Sequence, residues 1–159
     1  MKRTLILMRH GESPAPSPGE ADHQRPLSSR GFAAAVGIGR RLKSDGLAPG
    51  VVVSSDATRT RQTWVALEQA FVSDLEPTFC RDLYGGDLLA LRAAADNWSD
   101  EQSTALALGH NPGWSVAVSE LSGGWARLMP GNAAVLSGSG ETWARALRQP
   151  WELVALLRD

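Results

Sequence analysis

A chain of 159 residues, 43% hydrophobic and 21% charged, has the length for a substantial core and the composition of an ordinary globular protein. It reads as a single domain over residues 1–159. The formal net charge of -1 excludes a general nucleic-acid-binding or anionic-membrane surface, and no apolar run reaches the length of a membrane span. Cys80 is the only cysteine, so no intrachain disulfide can form, and a reducing, cytoplasmic setting is expected.

Met1-Lys2-Arg3 before an apolar run imitates the start of a secretory leader, but the run is short and Arg9 interrupts it. Thr4 to Met8 is predicted as a fully buried strand. Pro14 to Pro26, "PAPSPGEADHQRP", is a loop rich in proline and charge, placed to wall any site at that strand's exit. Ser28 or Ser29 caps a helix over about Gly31 to Ser44, with Phe32, Ala35, Val36, Gly39 and Leu42 on one face. Gly37 and Gly39 weaken a helix intrinsically, which points to close packing there. Val51 to Val53 is a second strand, followed by a helix capped by Asp56 with Trp64, Leu67 and Phe71 on one stripe.

Pro77 to Cys80 forms a third strand, and Asp87 opens a helix bearing Leu88, Leu91 and Ala95. Thr104 to Leu108 is a fourth strand. Asn111 as cap and Pro112 at the first helical position then start a helix to about Leu121. Ala133 to Leu136 is a fifth strand and a sixth is expected within Thr142 to Leu147, while "WELVALLRD" reads equally as strand or helix. This alternation predicts an α/β three-layer sandwich, a mostly parallel central sheet with helices on both faces. Ligands in such folds sit at the carboxyl ends of the strands.

Three predicted strand exits carry one kind of chemistry. The first delivers Arg9-His10-Gly11, the second Ser54-Ser55 with Arg59 just beyond, and the fourth Gly109-His110-Asn111. Two arginines, two histidines and two helix starts suit a dianion such as a phosphoryl group. His10 is the candidate nucleophile, since a neutral imidazole can attack phosphorus and carry the phosphoryl group covalently. Arg9 and Arg59 can hold the equatorial oxygens, and His110 can donate to another if protonated. Gly11 lets phosphate approach the backbone, and Asn111 is the second candidate substrate-binding residue. No metal site is expected from His10, His23 and His110, because their spacings match no ligand motif and the arginines would repel a cation. No cofactor is implied. Trp114 is the tryptophan expected to border the pocket.

"LMRHGES" resembles the signature of the histidine phosphatase (phosphoglycerate mutase-like) superfamily, whose motif histidine is phosphorylated. "SSDATRTRQT" is similar to its Ser-x-x-x-Arg-x-x-Gln-Thr block and "ALGHNPG" to its second-histidine block. The resemblance places the family's phosphate pocket on Arg9, His10, Arg59 and His110. "DHQRPLSSRG", "DLYGGDLLALRAA" and "WARALRQPWEL" resemble the short SixA-like branch of phosphohistidine phosphatases. Larger members carry a glutamate that protonates the leaving group; the nearest positional counterpart here is Asp82, the candidate general acid. The resemblance implies a phosphatase working through a phosphohistidine on His10, with a phosphorylated protein or small phosphorylated molecule as partner. Removal of phosphate from protein phosphohistidine is the preferred activity. A small-molecule phosphomonoesterase and a non-catalytic phosphate-binding module are the alternatives. Asp22, His23 and Arg25 are candidate substrate contacts from the loop, with an Asp22–Arg25 ion pair that pins the loop as the preferred reading, and Arg61 is read as a solvated helix residue.

Overall fold

The computed structural model describes residues 1–71 and 74–159. The strands are β1 (Lys2–Arg9), β2 (Val51–Ser55), β3 (Thr78–Cys80), β4 (Thr104–Gly109), β5 (Ala133–Ser139) and β6 (Glu152–Leu157), and the helices are α1 (Ser29–Ser44), α2 (Thr58–Glu68), α3 (Leu88–Ala95), α4 (Gly113–Ser122) and α5 (Trp143–Ala146). The six strands form one sheet in the order β3-β2-β4-β1-β5-β6. β3, β2, β4 and β1 pair in parallel, whereas β5 is antiparallel to both β1 and β6. The sheet is therefore mostly parallel, with one reversed strand.

The apolar run of β1 explains its central place. Leu5 and Leu7 face a core shared with Leu91, Trp114, Val118 and Trp143. Ile6 and Met8 face the other core, with Ile38, Leu42, Trp64 and Leu67 from α1 and α2. All four are completely buried, as a strand covered by helices on both faces must be. Ser28 caps α1 by accepting from the Gly31 N–H at 3.0 Å. A methyl group at Gly39 would lie 2.7 Å from the Leu67 carbonyl oxygen, so α1 and α2 can pack this closely only with glycine there.

Four local expectations are corrected. Thr142 to Leu147 is not a strand: the Thr142 hydroxyl accepts from the Arg145 N–H and caps α5, while the ambiguous terminal stretch supplies β6. Asp56 does not cap α2; Ala57 holds that position, and the Asp56 carboxylate is bound to His23 instead. α4 starts at Gly113 with Pro112 at the cap, although the Asn111 side chain still accepts from the Ser115 N–H. Trp114 does not border the pocket. It is fully buried, donates to the Ala107 carbonyl at 3.0 Å and packs under Gly109.

Candidate active site

Strand order alone brings the three motif segments together. β1 and β4 are neighbours with Arg9 in register with Gly109, and β4 neighbours β2 with Leu108 in register with Ser54. The residues just past these pairs therefore emerge side by side at one edge of the sheet, where α2 and α4 begin.

His10 sits at the centre and is 8% exposed. Its N–H donates to the Gly109 carbonyl, and its own carbonyl accepts from the Gly131 N–H at 2.7 Å. Nδ1 lies 2.6 Å from the Gly11 carbonyl oxygen. A carbonyl only accepts, so Nδ1 carries the proton and Nε2 keeps its lone pair. Arg59 Nε donates to that Nε2 at 3.3 Å. Burial above all, with Arg59, Arg9 and Arg25 adding their charge, pushes the His10 pKa down to about 4 against the opposing effect of the Gly11 bond. At neutral pH the ring is thus uncharged and oriented, as a nucleophile requires.

His110 lies beside it, with ring centres 5.2 Å apart. Its Nε2 is 2.8 Å from Ser55 Oγ, so β2 positions it as well as β4. Burial, then His10 and Arg59, pushes its pKa down to about 3, with Asp22 opposing. Arg9 reaches in from the end of β1, and its guanidinium NH1 donates to the Leu128 carbonyl at 3.1 Å. Burial and the charges of Arg127 and Arg59 lower its pKa. Arg9 Nε and His110 Nδ1 are buried without a hydrogen-bond partner among the described residues. Orphaned polar atoms of this kind are costly, and two of them on adjacent pocket residues fit a site shaped for an anion.

Arg59 is 6% exposed and is held by the loop over residues 14–26. NH1 donates to the Asp22 carbonyl at 2.7 Å and NH2 to its carboxylate at 3.1 Å. The same carboxylate accepts from the Tyr84 hydroxyl and from Arg25 at 2.8 Å. These partners, Tyr84 first, hold Asp22 well below the usual carboxylate range. His23 fixes the same turn through its 2.7 Å contact with Asp56. The loop is thus a wall, and Asp22 does more than pin it to Arg25.

Arg9, His10, Arg59 and His110 converge. Gly11 lies against them, and a methyl group there would come within 2.8 Å of the Gly31 carbonyl oxygen, so packing demands this glycine whatever its role toward phosphate. Asn111 lines the neighbouring cavities, but its amide is committed: Nδ2 donates to the Leu128 carbonyl at 2.7 Å and Oδ1 accepts from Ser115. Asp82 is exposed on the short turn Arg81–Leu83 and makes no hydrogen bond or ion pair with the four. The sequence places Ser55 at a strand exit without giving it a role, gives Tyr84 none and undervalues Asp22. Ser55 alone carried a signal, as a hydroxyl at a strand exit. Arg61 takes the bland role expected of it, donating to the Asp56 carbonyl and covering the Phe79 ring.

A sheet edge that gathers two neutral imidazoles and two guanidiniums has the chemistry to hold a phosphoryl group. Residues 5–84 match the histidine phosphatase superfamily (branch 1). An uncharacterised chloroplastic protein of Arabidopsis thaliana is 36% identical, over 99% of this chain and 78% of its own. A Nakamurella multipartitia structure provisionally described as the phosphohistidine phosphatase SixA is 31% identical, with a TM-score of 0.84 over 99% of this chain and 96% of that one. The protein histidine phosphatase SixA complexed with tungstate has the same fold, with a TM-score of 0.80 at 18% identity over 98% and 96% of the two chains. The chain belongs to the histidine phosphatase superfamily and is a phosphatase of that class. No helix among the described residues is long and apolar enough to cross a membrane.

Proposed function

We propose that this phosphatase acts through a phosphohistidine on His10 and that its substrate is phosphohistidine on a protein. The observation that carries the first half is the fixed tautomer of His10, with Nε2 unprotonated and Arg59 Nε beside it. Nε2 attacks phosphorus while the bond from phosphorus to the substrate's imidazole nitrogen breaks. The other nitrogen of that ring already carries a proton, so the nitrogen that was bonded to phosphorus leaves with the electron pair as part of a neutral imidazole. Water then attacks phosphorus, the bond to His10 breaks, a proton is lost to solvent, and inorganic phosphate and neutral His10 are regenerated. Arg9 and Arg59 balance the charge on the equatorial oxygens through both steps.

The second half rests on the acids around the site. Asp22 is the carboxylate beside the pocket, and its partners keep it ionised, so it cannot donate a proton at neutral pH. Asp82 is exposed and makes no hydrogen bond or ion pair with the four. A site without a poised acid suits a leaving group that departs neutral, as imidazole does, better than an alkoxide. Phosphohistidine and phosphoserine peptides compared at equal concentration test this. Faster phosphate release from phosphohistidine is expected, and faster release from phosphoserine would favour a phosphomonoesterase instead.

A further inference from the structure

The cavities beside the phosphate pocket constrain the shape of the substrate. One, of about 610 Å³, opens against Arg9 and is walled by Val116, Trp125 and Arg127. The other, of about 310 Å³, opens against His110 and runs to Tyr84. Asn111, Pro112 and Val116 line both. The two adjoin across the start of α4 as a furrow in two halves, with Arg9 of the phosphate pocket lining one half and His110 the other. Its floor is held in place: the Leu128 carbonyl accepts from both Arg9 and Asn111, and the Leu128 N–H donates to Ser115.

The Arg9 half ends on an apolar surface. Trp125 is 81% exposed and Val116 is 46% exposed. A large ring left in water beside a charged site offers apolar area for a bound segment to cover. Arg127 adds positive charge, near enough to Arg9 to depress its pKa.

We infer that this furrow receives the polypeptide flanking a phosphorylated histidine, with Trp125 and Val116 taking an apolar side chain of that segment. The inference rests on the phosphohistidine reading above. A compact phosphate ester would fill one half of the furrow and leave Trp125 in water. An extended segment occupies both halves with its phosphoryl group over His10, and covering the indole removes apolar area from water.

Two phosphohistidine peptides of equal length, flanked on both sides by leucine or by glycine, provide the test. The wild-type enzyme should favour the leucine peptide about tenfold in kcat/KM, mostly through KM. Trp125→Ala should bring that ratio close to one, and Trp125→Phe should restore most of it. A wild-type enzyme without the preference, or a preference that survives Trp125→Ala, overturns the subsite. Release from neither peptide, with p-nitrophenyl phosphate still hydrolysed, means that the phosphohistidine reading has failed and the subsite with it.

Discussion

β1 carries an arginine at each end, and the two live in opposite circumstances. Arg3, at the amino end, is completely buried. Its Nε, NH1 and NH2 all donate to backbone carbonyls, of Gly140, Gln102, Asp100 and Glu141, and its guanidinium lies 4.9 Å over the Trp143 ring. Arg9, at the carboxyl end, has one side-chain hydrogen bond and a buried Nε with no partner among the described residues, and two other arginines oppose its charge. One cation is satisfied by the fold, and the other is left for something the fold does not supply. Incomplete satisfaction, more than burial or charge, separates the functional residue from the structural one.

That contrast can be broken by exchanging the consequences. Arg3→Ala should cost about 3–5 kcal/mol of stability in denaturant unfolding, because it removes a fully buried side chain packed on Trp143 together with its four bonds to part-buried carbonyls. The kcat/KM of the molecules that remain folded should stay within about twofold. Arg9→Ala should do the reverse: kcat/KM falls roughly 10²–10³-fold, while stability changes by under about 1 kcal/mol, since the bond lost is offset by relief of repulsion. Equal stability losses in both variants would erase the distinction.

Asp22→Asn sharpens it at the next level. Asp22 aims Arg59, so kcat/KM should fall about tenfold, chiefly in kcat, with the fold intact. Unchanged kinetics would reduce Asp22 to the loop pin expected from sequence. Asp82→Asn should change turnover less than about twofold for good and poor leaving groups alike. A selective loss on poor leaving groups would restore Asp82 as the acid.

The histidines give a pH test with a definite sign. His10 and His110 have folded pKa values of about 4 and about 3, below the ordinary 6.5. The unfolded chain therefore takes up protons that the folded one refuses. Stability should fall as pH drops from 6.5, and the loss from each ring should level off once pH is below its folded value. NMR titration should show both rings neutral at pH 5, and inorganic phosphate should raise both midpoints by offsetting the guanidiniums. Rings that titrate near 6.5 in the free enzyme would contradict the account.

The sequence made the architecture legible wherever a run had one physical reading. "LILM" reads as a strand buried on both faces, and the exits of β1, β2 and β4 carry the four converging residues. What stayed hidden depends on distance in the chain or on balanced propensities. Asp22 lies 37 residues from Arg59, so their pairing leaves no spacing to read. Trp143–Ala146 is four residues long, too short for periodicity to separate helix from strand, and a single threonine cap decided it. Asp56 had the side chain for a cap, but His23 from a distant loop engaged it. The reversed direction of β5 follows from pairing across the sheet, which no local pattern records.

The central claim is the covalent intermediate. Mixing the enzyme with a phosphohistidine peptide carrying a radiolabelled phosphoryl group, then quenching within one turnover at alkaline pH, should leave acid-labile label on His10 and none on the His10→Ala variant. That variant should also lose turnover. A quenched wild-type enzyme without label on His10, or a His10→Ala enzyme that still turns over, would contradict the mechanism.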